Sequence, residues 1–81
     1  MYYVYVLKSE SNRHYVGYSA DLKSRVRQHN AGENASTTGS NWMLIYYEAY
    51  ASEKLARQRE QVLKNHGRTK QALFRRLEAL D

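Results

Sequence analysis

Few side chains in this 81-residue chain have a type and spacing that could do chemistry. Tyr5 and Tyr15 sit in two short apolar stretches ten residues apart, Arg25 is followed four residues later by His29, and Glu60 lies among cations further on. Phenol and imidazole can move protons, guanidinium can clamp an oxyanion, and a carboxylate oxygen suits a hard cation. Each residue also has a plainer role available. Tyr5 can be a buried strand residue, and Tyr15 can serve only to orient it. Arg25 can pair with Asp21, and His29 can complement the end of a helix dipole. Glu60 can pair with Lys64 at i+4, worth a few tenths of a kcal/mol. Other chemistries are excluded or unsupported. There is no cysteine, so thiolate metal sites, disulfides and a cysteine nucleophile are ruled out. The histidines, at 14, 29 and 66, are too scattered for a metal cluster. The glycines form no phosphate-cradling loop, and no serine sits in a strand–turn–helix elbow.

These side chains need elements to position them. Tyr2–Leu7 is apolar on both alternating faces, with Val4 and Val6 on one and Tyr3, Tyr5 and Leu7 on the other, which predicts a strand covered on both sides. Ser9–Arg13 reads as a turn and His14–Tyr18 as a second strand. A register pairing Tyr5 with Tyr15 would put both phenols on one face, with Gly17 leaving the backbone open beside them. Ser19 is the expected cap of a helix running to about Asn30, with Leu22 and Val26 as its apolar stripe and Arg25 and His29 bordering it. Residues 32–41 form a polar loop long enough to be functional. Trp42–Tyr50 predicts a third strand, with Met43, Ile45 and Tyr47 alternating against Leu44 and Tyr46. Ser52 caps a second helix that buries Leu55, Ala56, Val62 and Leu63, places Arg59 in its apolar stripe and stops at Gly67. Arg59 is expected to bond across to the sheet. A third helix starts near Thr69, with Leu73, Phe74, Leu77 and Leu80 on one side. The order β-β-α-β-α-α predicts a single α+β domain over residues 1–81, a small three-stranded antiparallel-type sheet flanked by helices.

Thirteen basic residues against eight acidic give a net charge of +5. The excess is uneven: residues 1–31 and 51–81 are basic, while 32–50 carry two acids and no base. That balance on a small surface favours a polyanion, nucleic acid before anionic membrane. Eight tyrosines and one tryptophan could stack on bases or simply pack a sheet. No apolar run approaches a membrane span, and the start lacks the pattern of a signal peptide, so a cytoplasmic protein is expected.

Taken in order, Tyr3-Val4-Tyr5, Tyr15-Val16-Gly17, Asp21-Leu22-x-x-Arg25-x-x-x-His29, Trp42 to Glu48 and Ala56-x-x-Arg59-Glu60-x-x-Leu63-Lys64 resemble the signature of the GIY-YIG nuclease family, in particular its small stand-alone members. Tyr3 stands where the family name has glycine, Ser19 replaces the usual threonine, and Asn41 stands where many relatives have proline. The resemblance implies a metal-dependent DNA endonuclease that hydrolyses phosphodiesters with a single Mg²⁺ or Mn²⁺. It assigns Tyr5, Tyr15, Gly17, Arg25 and His29 to the catalytic site and Glu60 to the metal. The implied substrate is branched, flap or single-stranded DNA, cut with structure selectivity or weak sequence specificity in repair or recombination. A protein partner or homodimer would supply targeting. Lys23, Arg27, Arg57 and Lys64 are the candidate phosphate contacts. The alternative is a nucleic-acid-binding protein whose nuclease site is weak or vestigial.

Overall fold

Branched and aromatic side chains concentrate in three short stretches, and each becomes a strand. In a computed structural model, which describes residues 1–32, 39 and 41–78, β1 spans Tyr2–Ser9, β2 His14–Ser19 and β3 Trp42–Tyr50. The helices are α1 Leu22–Asn30, α2 Glu53–Asn65 and α3 Gly67–Glu78. Chain order is β-β-α-β-α-α, and the antiparallel sheet runs β2-β1-β3. This is the α+β arrangement expected from the sequence. Most of the polar loop expected at 32–41 lies outside the described residues, as does Leu80.

As the central strand, β1 is covered on both faces, and Val4, Tyr5, Val6 and Leu7 are each at most 1% exposed. Val4 and Val6 pack with Val16 against Ala56, Leu63 and Leu73 of α2 and α3. Each valine or leucine among them contributes roughly 1.5–3 kcal/mol when fully buried. Tyr5 and Leu7 pack with Trp42, Tyr15 and Leu44 beneath Leu22 and Val26 of α1. The fully buried centre of the first layer is aliphatic, while that of the second combines Tyr5 and Trp42 with Leu7.

Several sequence expectations are corrected. The register, which the turn alone left open, pairs Tyr5 with Gly17 and Leu7 with Tyr15, two residues from a direct Tyr5–Tyr15 pairing and still with both phenols on one face. The cap of α1 is Asp21, whose carboxylate accepts from the Ser24 N–H, while Ser19 Oγ accepts from the Asp21 N–H just before it. A register shift between Val6 and Leu7 pairs Val6 with Tyr46 and Leu7 with Leu44. The extra residue, Ile45, interrupts the simple alternation expected in β3. Trp42 and Leu44 therefore face α1, while Ile45, Tyr46 and Tyr50 join the α2 and α3 layer. Ser52 does cap α2, but Leu55 is 51% exposed rather than buried. His66 is the C-cap of α2, and Gly67 opens α3 instead of merely ending the preceding helix.

Candidate active site

The site is built around Gly17. A methyl group there would lie 2.5 Å from Tyr5 Oη and 3.0 Å from Tyr15 Cε1, so the absence of a side chain lets both rings cross β2. Tyr5 and Tyr15 lie 6.4 Å apart, centroid to centroid. From α1, the His29 ring meets Tyr15 edge-on at 4.6 Å, and its Nε2 lies 2.9 Å from Tyr5 Oη. His29 is fully buried, and Trp42 closes the far side with its ring 6.4 Å from Tyr15. Asn30 ties these parts together: its amide donates to the Trp42 carbonyl at 3.0 Å and its Oδ1 accepts from the Trp42 N–H at 2.6 Å.

Burial sets the protonation states. It pushes the Tyr5 phenol up to about 12, reinforced by the neighbouring Tyr15 and opposed by the Arg25 guanidinium. Burial, helped by Arg25, lowers His29 from its usual 6.5. At neutral pH the phenol is therefore protonated and the imidazole neutral. In the tautomer that carries its proton on Nδ1, Tyr5 donates and His29 Nε2 accepts in their hydrogen bond.

Arg25 is solvent-exposed, not packed at the edge of the core as its helical position suggested. Its guanidinium donates to Gln28 Oε1 at 3.1 Å, yet its charge is felt at both Tyr5 and His29. Glu60 acts on Tyr5 from α2. Its side chain is only 13% exposed, and its Oε2 faces Lys64 Nζ at 3.5 Å. Lys64 Nζ lies 5.7 Å from the centre of the Tyr15 ring. The structure thus brings Tyr5, Tyr15, Gly17 and His29 into contact, with Arg25 and Glu60 within electrostatic reach of Tyr5.

The candidate phosphate contacts divide. Arg57 stacks its guanidinium 5.6 Å from the Tyr18 ring and makes an exposed pair with Glu53, so it shares the α2 side with Lys64. Lys23 and Arg27 line a separate groove on the other side of α1. Arg59 bonds across to the sheet as expected, gripping Glu48 through Nε at 2.9 Å and Nη2 at 3.0 Å. Sequence reasoning missed Asn30 and Trp42. The one available signal was a helix-ending asparagine followed by an aromatic strand start.

A family model of the GIY-YIG catalytic domain matches residues 1–73. The chain is 35% identical over 71 residues to a UPF0213 protein of Haloquadratum walsbyi, covering 85% of this chain and 80% of that relative. A UPF0213 protein of Halobacterium salinarum is 36% identical over 77 residues, covering 91% of this chain and all of the relative. The solution structure of a UPF0213 protein from Bacillus halodurans superposes with a TM-score of 0.55 at 29% identity, covering 91% of this chain and 83% of that one.

Proposed function

This chain belongs to the GIY-YIG family, and from that membership we propose that it is a DNA endonuclease hydrolysing phosphodiesters with one Mg²⁺ or Mn²⁺. The observation that carries the reading is the Tyr5–His29 hydrogen bond, laid across Gly17, with Arg25 and Glu60 acting on the same phenol. A single domain has few means of reading bases, since phosphate contacts position a protein without specifying sequence. The proposed substrates are therefore flaps, junctions or single strands met in repair or recombination.

Glu60 is the residue that would hold the cation. Its carboxylate is a hard oxygen donor, and an ammonium already stands beside it, so the position accommodates positive charge. A divalent ion held by Glu60 would supply Lewis-acid stabilisation of the leaving alkoxide. Arg25 gathers the negative charge that grows on the phosphoryl oxygens. Water hands its proton to Tyr5 Oη while the Tyr5 hydroxyl proton passes to His29 Nε2. The pair ends with one added proton, carried on the imidazole. Tyr15 and Trp42 hold these rings in place, and Gly17 gives them room.

A cleavage panel of single-stranded, duplex, flap and junction DNA with Mg²⁺, Mn²⁺ or EDTA tests the reading. Glu60→Gln keeps the volume and removes the charge, so metal-dependent cleavage falls by roughly 10²-fold or more. Folding and metal-free DNA binding stay. An equally active variant removes Glu60 from the site. An inert wild type across the whole panel moves the protein to the binding-only reading.

A further inference from the structure

We propose that the groove between α1 and the sheet is a subsite for one unpaired nucleotide of a single-stranded segment, its base against Tyr47 and its phosphate against Lys23 and Arg27. This rests on the nuclease reading above and deepens it by naming the substrate's form. The groove is open, with a volume of about 750 Å³, inside the range of ligand clefts. Its floor is apolar, from Leu22, Val26 and Leu44. Its wall is a pair of rings, Tyr3 and Tyr47, set edge to face at 5.9 Å. Tyr47 is 55% exposed, so a large aromatic surface stands open to water beside two cations.

Charge and register select the occupant. Lys23 and Arg27 are four residues apart on α1 and exposed on one rim, where a backbone phosphate would pass. The Asp21 carboxylate also lines the groove, but it is engaged as the cap of α1. Tyr47 stands opposite Tyr5 across β1 and β3, one strand spacing of about 4.8 Å away. The groove and the tyrosine site thus lie along one sheet face with α1 between them, so a strand held in the groove would round α1 to reach the Tyr5 phenol. Stacking on an aromatic ring needs an exposed base face, which an unpaired nucleotide offers and a base within a duplex does not.

The test is fluorescence anisotropy in EDTA, with the full chain and fluorescein-labelled oligonucleotides of equal length, single-stranded or duplex. Tyr47→Ala should weaken single-strand binding by roughly 5- to 100-fold, the worth of one base–aromatic stack, and leave duplex binding unchanged. Tyr47→Phe should retain it, and an abasic oligonucleotide should be insensitive to Tyr47→Ala. Arg27→Gln should weaken both forms and reduce the salt slope by about 1. Wild-type single-strand affinity in Tyr47→Ala, or equal loss on both forms, overturns the subsite. So does a sedimenting dimer that Tyr47→Ala dissolves, since the groove would then be a contact between copies. Binding in EDTA needs no cleavage. An inert wild type with Tyr47-dependent binding leaves the subsite and removes the nuclease, while an active enzyme with normal Tyr47→Ala binding does the reverse.

Discussion

Two glutamates of nearly equal exposure, Glu48 on β3 and Glu60 on α2, are bonded in opposite ways. The Glu48 side chain is 17% exposed and that of Glu60 13%. Glu48 is saturated: Arg59 grips both oxygens, Tyr46 donates to one at 2.6 Å and Tyr50 to the other at 2.5 Å. Burial opposes its ionisation, but these bonds outweigh it and hold the carboxyl below its usual 4.5. Glu60 faces one flexible ammonium at 3.5 Å. Such a partner can swing away with little penalty, whereas Glu48 would have to abandon a planar fork and two hydroxyls. Burial alone does not distinguish a structural carboxylate from a ligand. Under the proposed reading, saturation of its lone pairs does.

Breaking the saturated side has the largest effect. Arg59→Met leaves Glu48 charged and half-satisfied, and should cost about 2–4 kcal/mol in urea unfolding. That is below the fully buried figure because Arg59 keeps 30% of its side chain exposed. Cleavage per folded molecule should hold, and a fall in activity without a fall in stability would erase the distinction. Next comes Gly17→Ala, whose methyl meets Tyr5 Oη at 2.5 Å. It should cost about 1–3 kcal/mol as the rings shift, with more activity lost than the folded fraction explains.

Acid should separate the two sides in sequence. His29 and His14 are held below 6.5 by burial, so the unfolded chain takes up protons first, and stability declines as pH falls from 6.5 through their lower folded values. Cleavage loses its proton acceptor along the same limb. The contribution of Glu48 persists above 4.5 and is lost only as pH falls from there through its depressed folded value. Thermal melts and initial rates against pH check both. The smallest change expected is from Lys64→Met, which frees Glu60. Stability should move by only a few tenths of a kcal/mol, and the Mg²⁺ concentration for half-maximal cleavage should fall. A rise instead would make Lys64 a helper of the cation rather than its rival.

Element order and the face shared by Tyr5 and Tyr15 were legible because alternation and turn chemistry are local. Register was not, since a two-residue offset keeps every side chain on its face and leaves no trace in the pattern. The bulge at Ile45 was equally hidden, because the residues from Trp42 to Tyr47 around it are all apolar or aromatic. Helical arithmetic placed Arg25 beside Leu22, but a nine-residue helix covers little, and the long side chain reaches solvent. The ordered motifs identified the glutamate of interest, whereas the saturation of Glu48 depends on two tyrosines whose hydroxyl directions no spacing reveals.

Asn30 has a consequence for how this chain can be rebuilt. Its amide makes the two bonds a neighbouring strand would make to Trp42, so the ends of the segment from 31 to 41 are joined before that segment contributes anything. Lengthening a closed connection costs only logarithmically, about 0.6 kcal/mol per doubling. The position is therefore a natural port for grafting a recognition peptide, a few residues from His29 on one side and ending at Trp42 on the other. Cargo inserted there would be anchored between the end of α1 and the start of β3 while the sheet keeps its register.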